Sequence, residues 1–456
     1  MKPVRRIELM ILSAVLLSAP GPGSAADRIG LWDCVQRAVT AHPAADAAAF
    51  QVEQAAAALA ADSTLLKPGA SLSVHYSART YVPNIPIPTG PIELGDHHDT
   101  GVTLEASHLL YDWGRRRNRI SADGIQLEAE NAGLAARREL LAFESGSAYL
   151  KLLAARRDRE IATRYVQTAE EHFRYLQVLD QNGQVTGDQV LEARVRLERA
   201  RVDESRRSNA VRLARADLLQ RLGLPLASEL EFGDSVGEIP EPAESSLVPA
   251  EVIGLRPEIT FYDRQRESLA ALATSLRAEN RPGIRLYARG TYARPGIDQF
   301  RNEWIAYASA GASLEWNFLE WGRSGLLAEQ ILARRNEVTA TRRIRGQEIA
   351  LQLERARLER EETEQRLALA RTAVQSAEER FRIVSNLFDQ GQVTNTEFLD
   401  AREELAVSEL ELSRTELDSS LARWQLALAC GLIAGEVDRR WPVYAVTADY
   451  GLKRQR

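Results

Sequence analysis

A chain of 456 residues would ordinarily divide into roughly two to four domains. Its formal charge of −6 and isoelectric point near 5.8 argue against a dedicated nucleic-acid binder. Charged residues make up 27% and aromatics only 6%, with Ala, Leu, Arg and Glu abundant, a balance that favours long helices over a compact enzyme core.

Lys2, Arg5 and Arg6 precede an apolar run from Leu9 to Leu17 and the small residues Ser24-Ala25-Ala26. Residues 1–26 therefore read as a secretory signal cleaved after Ala26. The run is too short to serve comfortably as a membrane anchor, and no later stretch reaches 18 apolar residues. Cys34 follows Leu31-Trp32-Asp33 rather than a small-residue lipobox, so no acylated N-terminus is expected.

From Leu31 to Leu66 the apolar spacing is helical, and Pro68-Gly69 ends it. Strict alternation follows: Leu72, Val74, Tyr76, Ala78 and Val82 point one way, Ser71, Ser73, His75, Ser77 and Arg79 the other. A Pro- and Gly-rich loop, 83–99, leads to a second alternating run in which Val102, Leu104 and Ala106 oppose Thr103, Glu105 and Ser107. The expected strands, about 70–82 and 101–111, are near the length that crosses an outer membrane. A soluble half-buried hairpin is the bland alternative.

The period then changes. From Gly114 to about Gln181 no proline appears, and Ile120, Leu127, Leu134 and Leu141 mark a seven-residue repeat of coiled-coil type. Such a rod, about 100 Å long at 1.5 Å per residue, must pack against other long helices. Asn182-Gly183 stops it, Thr186 caps a return helix that runs to Leu222, and a Pro-, Glu- and Ser-rich linker occupies 224–250.

The same order then recurs. A helical segment spans Val252–Arg281, strands are expected at about 284–293 and 305–318, and a second rod runs from Gly322 to about Gln390. Tyr76, Tyr292, Trp304 and Trp316 fall towards strand ends, as interfacial aromatics do. Gly183-Gln184-Val185-Thr186 returns 208 residues later as Gly391-Gln392-Val393-Thr394, Trp113-Gly114 as Trp321-Gly322, and Gly223 as Gly431. Upstream the offset is 214, pairing Pro43 with Pro257 and Pro68-Gly69 with Pro282-Gly283. The mature chain is thus one unit written twice, residues 27–223 and 251–431, with tips at about 182–188 and 390–396 and a tail at 432–456.

Four membrane strands cannot close a barrel, and an open sheet edge in lipid leaves backbone groups unpaired. Several chains must pool their strands, apolar faces to lipid and polar faces to a wet lumen, with the rods extending the tube into the periplasm. Passive conduction through a duct is the implied mechanism.

In this order of elements, in Tyr111-Asp112-Trp113-Gly114 and Glu320-Trp321-Gly322 at the rod starts, and in the paired tips 183–193 and 391–401, the chain resembles the TolC-like outer-membrane efflux proteins over nearly its whole mature length. The resemblance implies a mainly α fold with a transmembrane β part, in which a homotrimer closes a 12-stranded β-barrel continued by a periplasmic α-helical barrel. It implies residence in the outer membrane lipid of a Gram-negative bacterium and an exit duct for tripartite efflux or type I secretion. Its partners would be a periplasmic adaptor, docked at Gly183–Thr186 and Gly391–Thr394, and an inner-membrane pump or ABC transporter. It also places a constriction at Glu397 and Asp400, with Gln189 and Glu192 at the matching places of the first tip. Val393 stands where some relatives carry an arginine.

Other chemistry is sparse. Asp96-His97-His98-Asp99 could hold a metal but reads as a solvated external loop, and no phosphate loop, nucleophile elbow or paired-Cys zinc spacing occurs. No enzyme activity and no cofactor are expected. Cys34 and Cys430 open the first helix and close the last; an oxidising periplasm permits a disulfide between them, though two unpaired buried thiols are the default expectation. The rival from another class is a periplasmic coiled-coil adaptor or scaffold with no pore.

Overall fold

A computed structural model describes residues 28–86, 88, 90, 92–93, 95–242, 248–298 and 300–440. The expected signal peptide and residues 441–456 of the tail lie outside the described residues. The chain opens with α1 (Leu31–Ala41) and α2 (Pro43–Ser63), where a single helix to Leu66 was expected. Pro43 removes a backbone donor and forces His42 to extended geometry, and the His42 imidazole accepts from the Ala44 N–H to start α2.

Four strands follow, β1 (Gly69–Ala78), a small hairpin of β2 (Asn84–Ile85) and β3 (Ile92–Glu93), and β4 (His98–Tyr111). The first strand ends at Ala78, short of the expected 82, although the Arg79 N–H still donates to the His97 carbonyl in the same register. The rod α3 (Arg115–Gln181) and the return helix α4 (Gly187–Arg221) close the first unit.

The second unit repeats it. Pro257 divides α5 (Pro249–Leu255) from α6 (Pro257–Arg277) as Pro43 divides α1 from α2, again correcting the expected continuous helix. Strands β5 (Gly283–Arg294) and β6 (Ile305–Glu315) lead to α7 (Arg323–Asp389) and α8 (Asn395–Ala429). Both rods are 67 residues and both return helices 35. A ninth helix, α9 (Leu432–Arg440), turns back onto the body.

Helices α2 and α4 both pack along α3, end to end. At the joint, Gly223 has φ +68° and a Cβ there would stand 3.1 Å from Pro43 Cδ, so only glycine fits. Its counterpart Gly431 shares the left-handed backbone, φ +71°, and lies beside Arg256, where a Cβ would make ordinary contact at 3.6 Å. Core residues concentrate at this level. Trp424 of α8 is fully buried among Val35, Val39, Ile433 and Val437, and its indole N–H donates to the Phe143 carbonyl. Gly146 lets α8 approach, since a Cβ there would lie 2.6 Å from the Trp424 ring. The linker wraps the same waist, held by the Tyr149 hydroxyl against the carbonyls of Gly233 and Ser235. Along α3 the heptad residues Leu134 and Leu141 are buried, Ile120 and Leu127 half-buried.

Cys34 and Cys430 are free and buried in separate clusters, as the default expectation had it, and the possible disulfide is not formed. Burial pushes the Cys34 thiol up to about 12 and also raises that of Cys430.

Candidate channel wall and periplasmic tip

The sheet runs β1-β4-β5-β6, antiparallel throughout, and leaves β1 and β6 as open edges. Its register keeps the two faces apart in chemistry. Across the four strands Ser73 faces Thr103, Thr103 faces Thr291, and Thr291 faces Tyr307. The adjacent polar row joins Ser71, Glu105, Arg289 and Ser309, with Arg289 Nη2 2.7 Å from Glu105. On the other face, rows such as Val74, Val102, Tyr292 and Ala306, or Ala70, Ala106, Ala288 and Ala310, are apolar. Leu72, Val74 and Leu104 are exposed in the single chain. This is the alternation of a wall with lipid on one side and water on the other.

The Asp96–Asp99 motif disperses rather than converging on a metal. Asp99 takes Arg79 at 2.9 Å and His75 at 3.2 Å; His98 meets the Tyr76 hydroxyl, His97 the Arg79 carbonyl, and Asp96 Asn302. Among the described residues no group of three or more His, Cys, Asp or Glu is placed to hold a metal ion.

At the far end, each rod stops at a left-handed glycine. Gly183 (φ 68°) and Gly391 (φ 69°) let Gln184 N reach Leu179 O and Gln392 N reach Leu387 O, both at 2.9 Å. The next helices start with capping boxes. Thr186 N donates to Gln189 Oε1 at 3.1 Å, and Thr394 N to Glu397 Oε2 at 2.8 Å. The backbone N–H and hydroxyl of Thr394 hold the Glu397 carboxyl below the usual carboxylate range. Glu397 and Gln189 are thus cap residues, a role the residue pattern allowed but the constriction assignment passed over.

Asp400 and Glu192 come together through a residue that the sequence reading missed. Arg196 of α4 reaches Asp400 of α8 at 2.8 Å, Glu403 at 2.9 Å and Glu192 at 3.3 Å. Asn395 Nδ2 donates to Glu192 at 3.1 Å, while Asn395 Oδ1 lies 2.6 Å from Nε2 of His172. His172 is 7% exposed and stacked on Phe398, with Phe388 beside it. Desolvation lowers its pKa, so the neutral ring donates Nε2–H to Asn395. A signal existed: the position 208 beyond Arg196 is Glu404, a reversal of charge between the two repeated tips.

A model of the family described as outer membrane efflux protein matches this chain twice, over residues 34–224 and 248–432. No curated protein matches it in sequence. Among solved structures it is similar to the CmeC outer membrane channel of Campylobacter jejuni, with 16% identity and a TM-score of 0.74 over 90% of this chain and 88% of that one. It is similar to VceC of Vibrio cholerae, with 18% identity and 0.73 over 88% and 96%. The open state of the Neisseria gonorrhoeae MtrE channel gives 18% and 0.72 over 88% of each.

Proposed function

The chain belongs to the outer membrane efflux protein family, a family of outer-membrane channels, and from that premise we propose how this protein forms an exit duct. It resides in the outer membrane, reaches into the periplasm and serves as the outer conduit of an efflux system. The reading offered is a homotrimer whose sheets join into one 12-stranded barrel. The observation that carries it is the pair of open edges on a sheet with one apolar face. The rods support it too: Ile344, Leu351 and Leu358 form an exposed seven-residue stripe on α7 that a further copy would cover.

In this reading Gly183–Thr186 and Gly391–Thr394 meet a periplasmic adaptor that connects to an inner-membrane pump. The carboxylates Glu397, Asp400 and Glu192, with Gln189, ring the narrow end. Arg196 ties Asp400 to the first tip, which supports a closed arrangement of the two return helices. Conduction is passive; the protein selects by charge and aperture.

Planar-bilayer recording and semi-native gels test this function. A heat-dissociable oligomer from the outer-membrane fraction that conducts ions is expected. A non-conducting monomer released by carbonate would instead favour the poreless scaffold.

A further inference from the structure

The rods begin at two tryptophans with a backbone shape that bulky residues rarely adopt: φ is 56° at Trp113 and 52° at Trp321. Each precedes a left-handed glycine, Gly114 or Gly322. Such strain persists only where surrounding contacts hold it. At Trp113 the contacts are evident. Its indole N–H donates to the Pro282 carbonyl at 3.0 Å, and the Arg281 guanidinium lies 5.2 Å above the ring. This joint sits at the end of the β4–β5 pairing, the seam between the first unit and the second.

Trp321 occupies the same place in the second unit but is 87% exposed, with no hydrogen bond or ring partner among the described residues. It follows β6, an open edge of the sheet. The duplication identifies what is missing. The counterparts of Pro282 and Arg281, 214 residues earlier, are Pro68 and Lys67, which precede β1 at the opposite open edge. Both are exposed.

We propose that Trp321 closes the seam between copies, its indole N–H donating to the Pro68 carbonyl of the neighbouring copy with Lys67 of that copy over the ring. This rests on the pooled-barrel reading and gives it a register. The duplication preserves strand register in the structure itself, since Gly69 opposite Ser107 becomes Gly283 opposite Glu315. Applying the same offsets to the β4–β5 seam sets β6 against β1 of the next copy. Ser107 opposite Tyr287 becomes Glu315 opposite Ser73, and Ala106 opposite Ala288 becomes Leu314 opposite Val74. The result is self-consistent, with polar side chains meeting on one face and apolar ones on the other.

The test is disulfide trapping of the full chain in its membrane. Ser73→Cys with Glu315→Cys should give covalent oligomers on a non-reducing denaturing gel that collapse to monomer on reduction. Ser107→Cys with Tyr287→Cys, the in-chain pair at the duplicated places, should link without changing the monomeric state. Pairing Glu315→Cys with Ser71→Cys or His75→Cys, two residues along the same face, should link about 5-fold less, because diagonal neighbours are farther apart. The buried native thiols leave this readout undisturbed. A displaced pair that links best overturns this register while leaving the shared barrel standing. No link between copies from any pair, with the in-chain control linked, overturns the shared barrel itself. Trp321→Phe, which keeps the ring and loses the N–H, should lower the temperature at which the oligomer dissociates; an unchanged temperature overturns the indole's role.

Discussion

Arg196 of the first unit and Asp400 of the second stand 2.8 Å apart, joining the two return helices immediately above the tip. The guanidinium is the shared cation for Glu192 and Glu403 as well, so its removal leaves a cluster of carboxylates facing one another. Arg196→Ala is expected to cost about 1 kcal/mol or less in stability, because the acids are half exposed. Its larger effect should be on the tip. Planar-bilayer conductance should rise severalfold over wild type, and Arg196→Lys should fall between.

Charge and capping at Glu397 can be separated by using the solution already present in the first tip, where Gln189 closes the same box. Glu397→Gln combined with Asp400→Asn should leave oligomer yield and helix content unchanged. Cation selectivity should weaken and block by a trivalent cation should disappear. Unchanged reversal potentials would move the constriction to Glu192 or beyond the tip.

The waist contains a titratable weak point. Glu139 is 2% exposed, 3.9 Å from Arg256, while Arg256 itself is engaged by Glu258 and by the Leu428 carbonyl, and Arg345 also claims Glu258. Desolvation raises the Glu139 carboxyl to about 7. A carboxyl raised in the fold favours its protonated form, so the fold loses stability as pH climbs from the ordinary carboxylate range towards about 7. Glu139→Gln should therefore match wild type near pH 4.5 and exceed it by about 2–3 kcal/mol at pH 8, read as thermal shifts by circular dichroism.

Gly146→Ala should destabilise the waist by about 1–3 kcal/mol, since the added methyl overlaps the Trp424 ring. Restored stability in Gly146→Ala with Trp424→Phe would confirm the contact; equal melting of wild type and Gly146→Ala would refute it.

On the sheet, Val74 lies in an apolar row opposite Val102, and Ser77 lies opposite Asp99. Val74→Arg should cost about 2–4 kcal/mol of membrane stability while Ser77→Arg is tolerated. Equal tolerance in urea-induced unfolding from lipid would contradict the assignment of faces.

Period and repetition carried most of this architecture. Alternation located the strands and their two chemistries, the proline-free stretches located the rods, and the duplicated glycines located both tips. What escaped was what needs three dimensions. Pro43 and Pro257 were visible, but that the return helices end against these breaks, with Gly223 beside Pro43 and Gly431 beside Arg256, was not. Glu397 and Asp400 share a helix, but the first closes a capping box local to that helix, and only the reach of Arg196 from α4 shows that the second is paired. Arg196 and His172 act through partners more than 200 residues away, beyond any local pattern.

The open strands β1 and β6 bear on how the protein reaches its site. A lone subunit entering a bilayer would present two rows of unpaired peptide groups to hydrocarbon, each group costing several kcal/mol. In the proposed shared barrel, insertion and subunit association are then a single event, with no membrane-embedded monomer on the route. Biogenesis of such a barrel would sense composition: one copy with a spoiled edge would hold its companions in the periplasm, and mixed expression of sound and defective chains should behave as dominant loss.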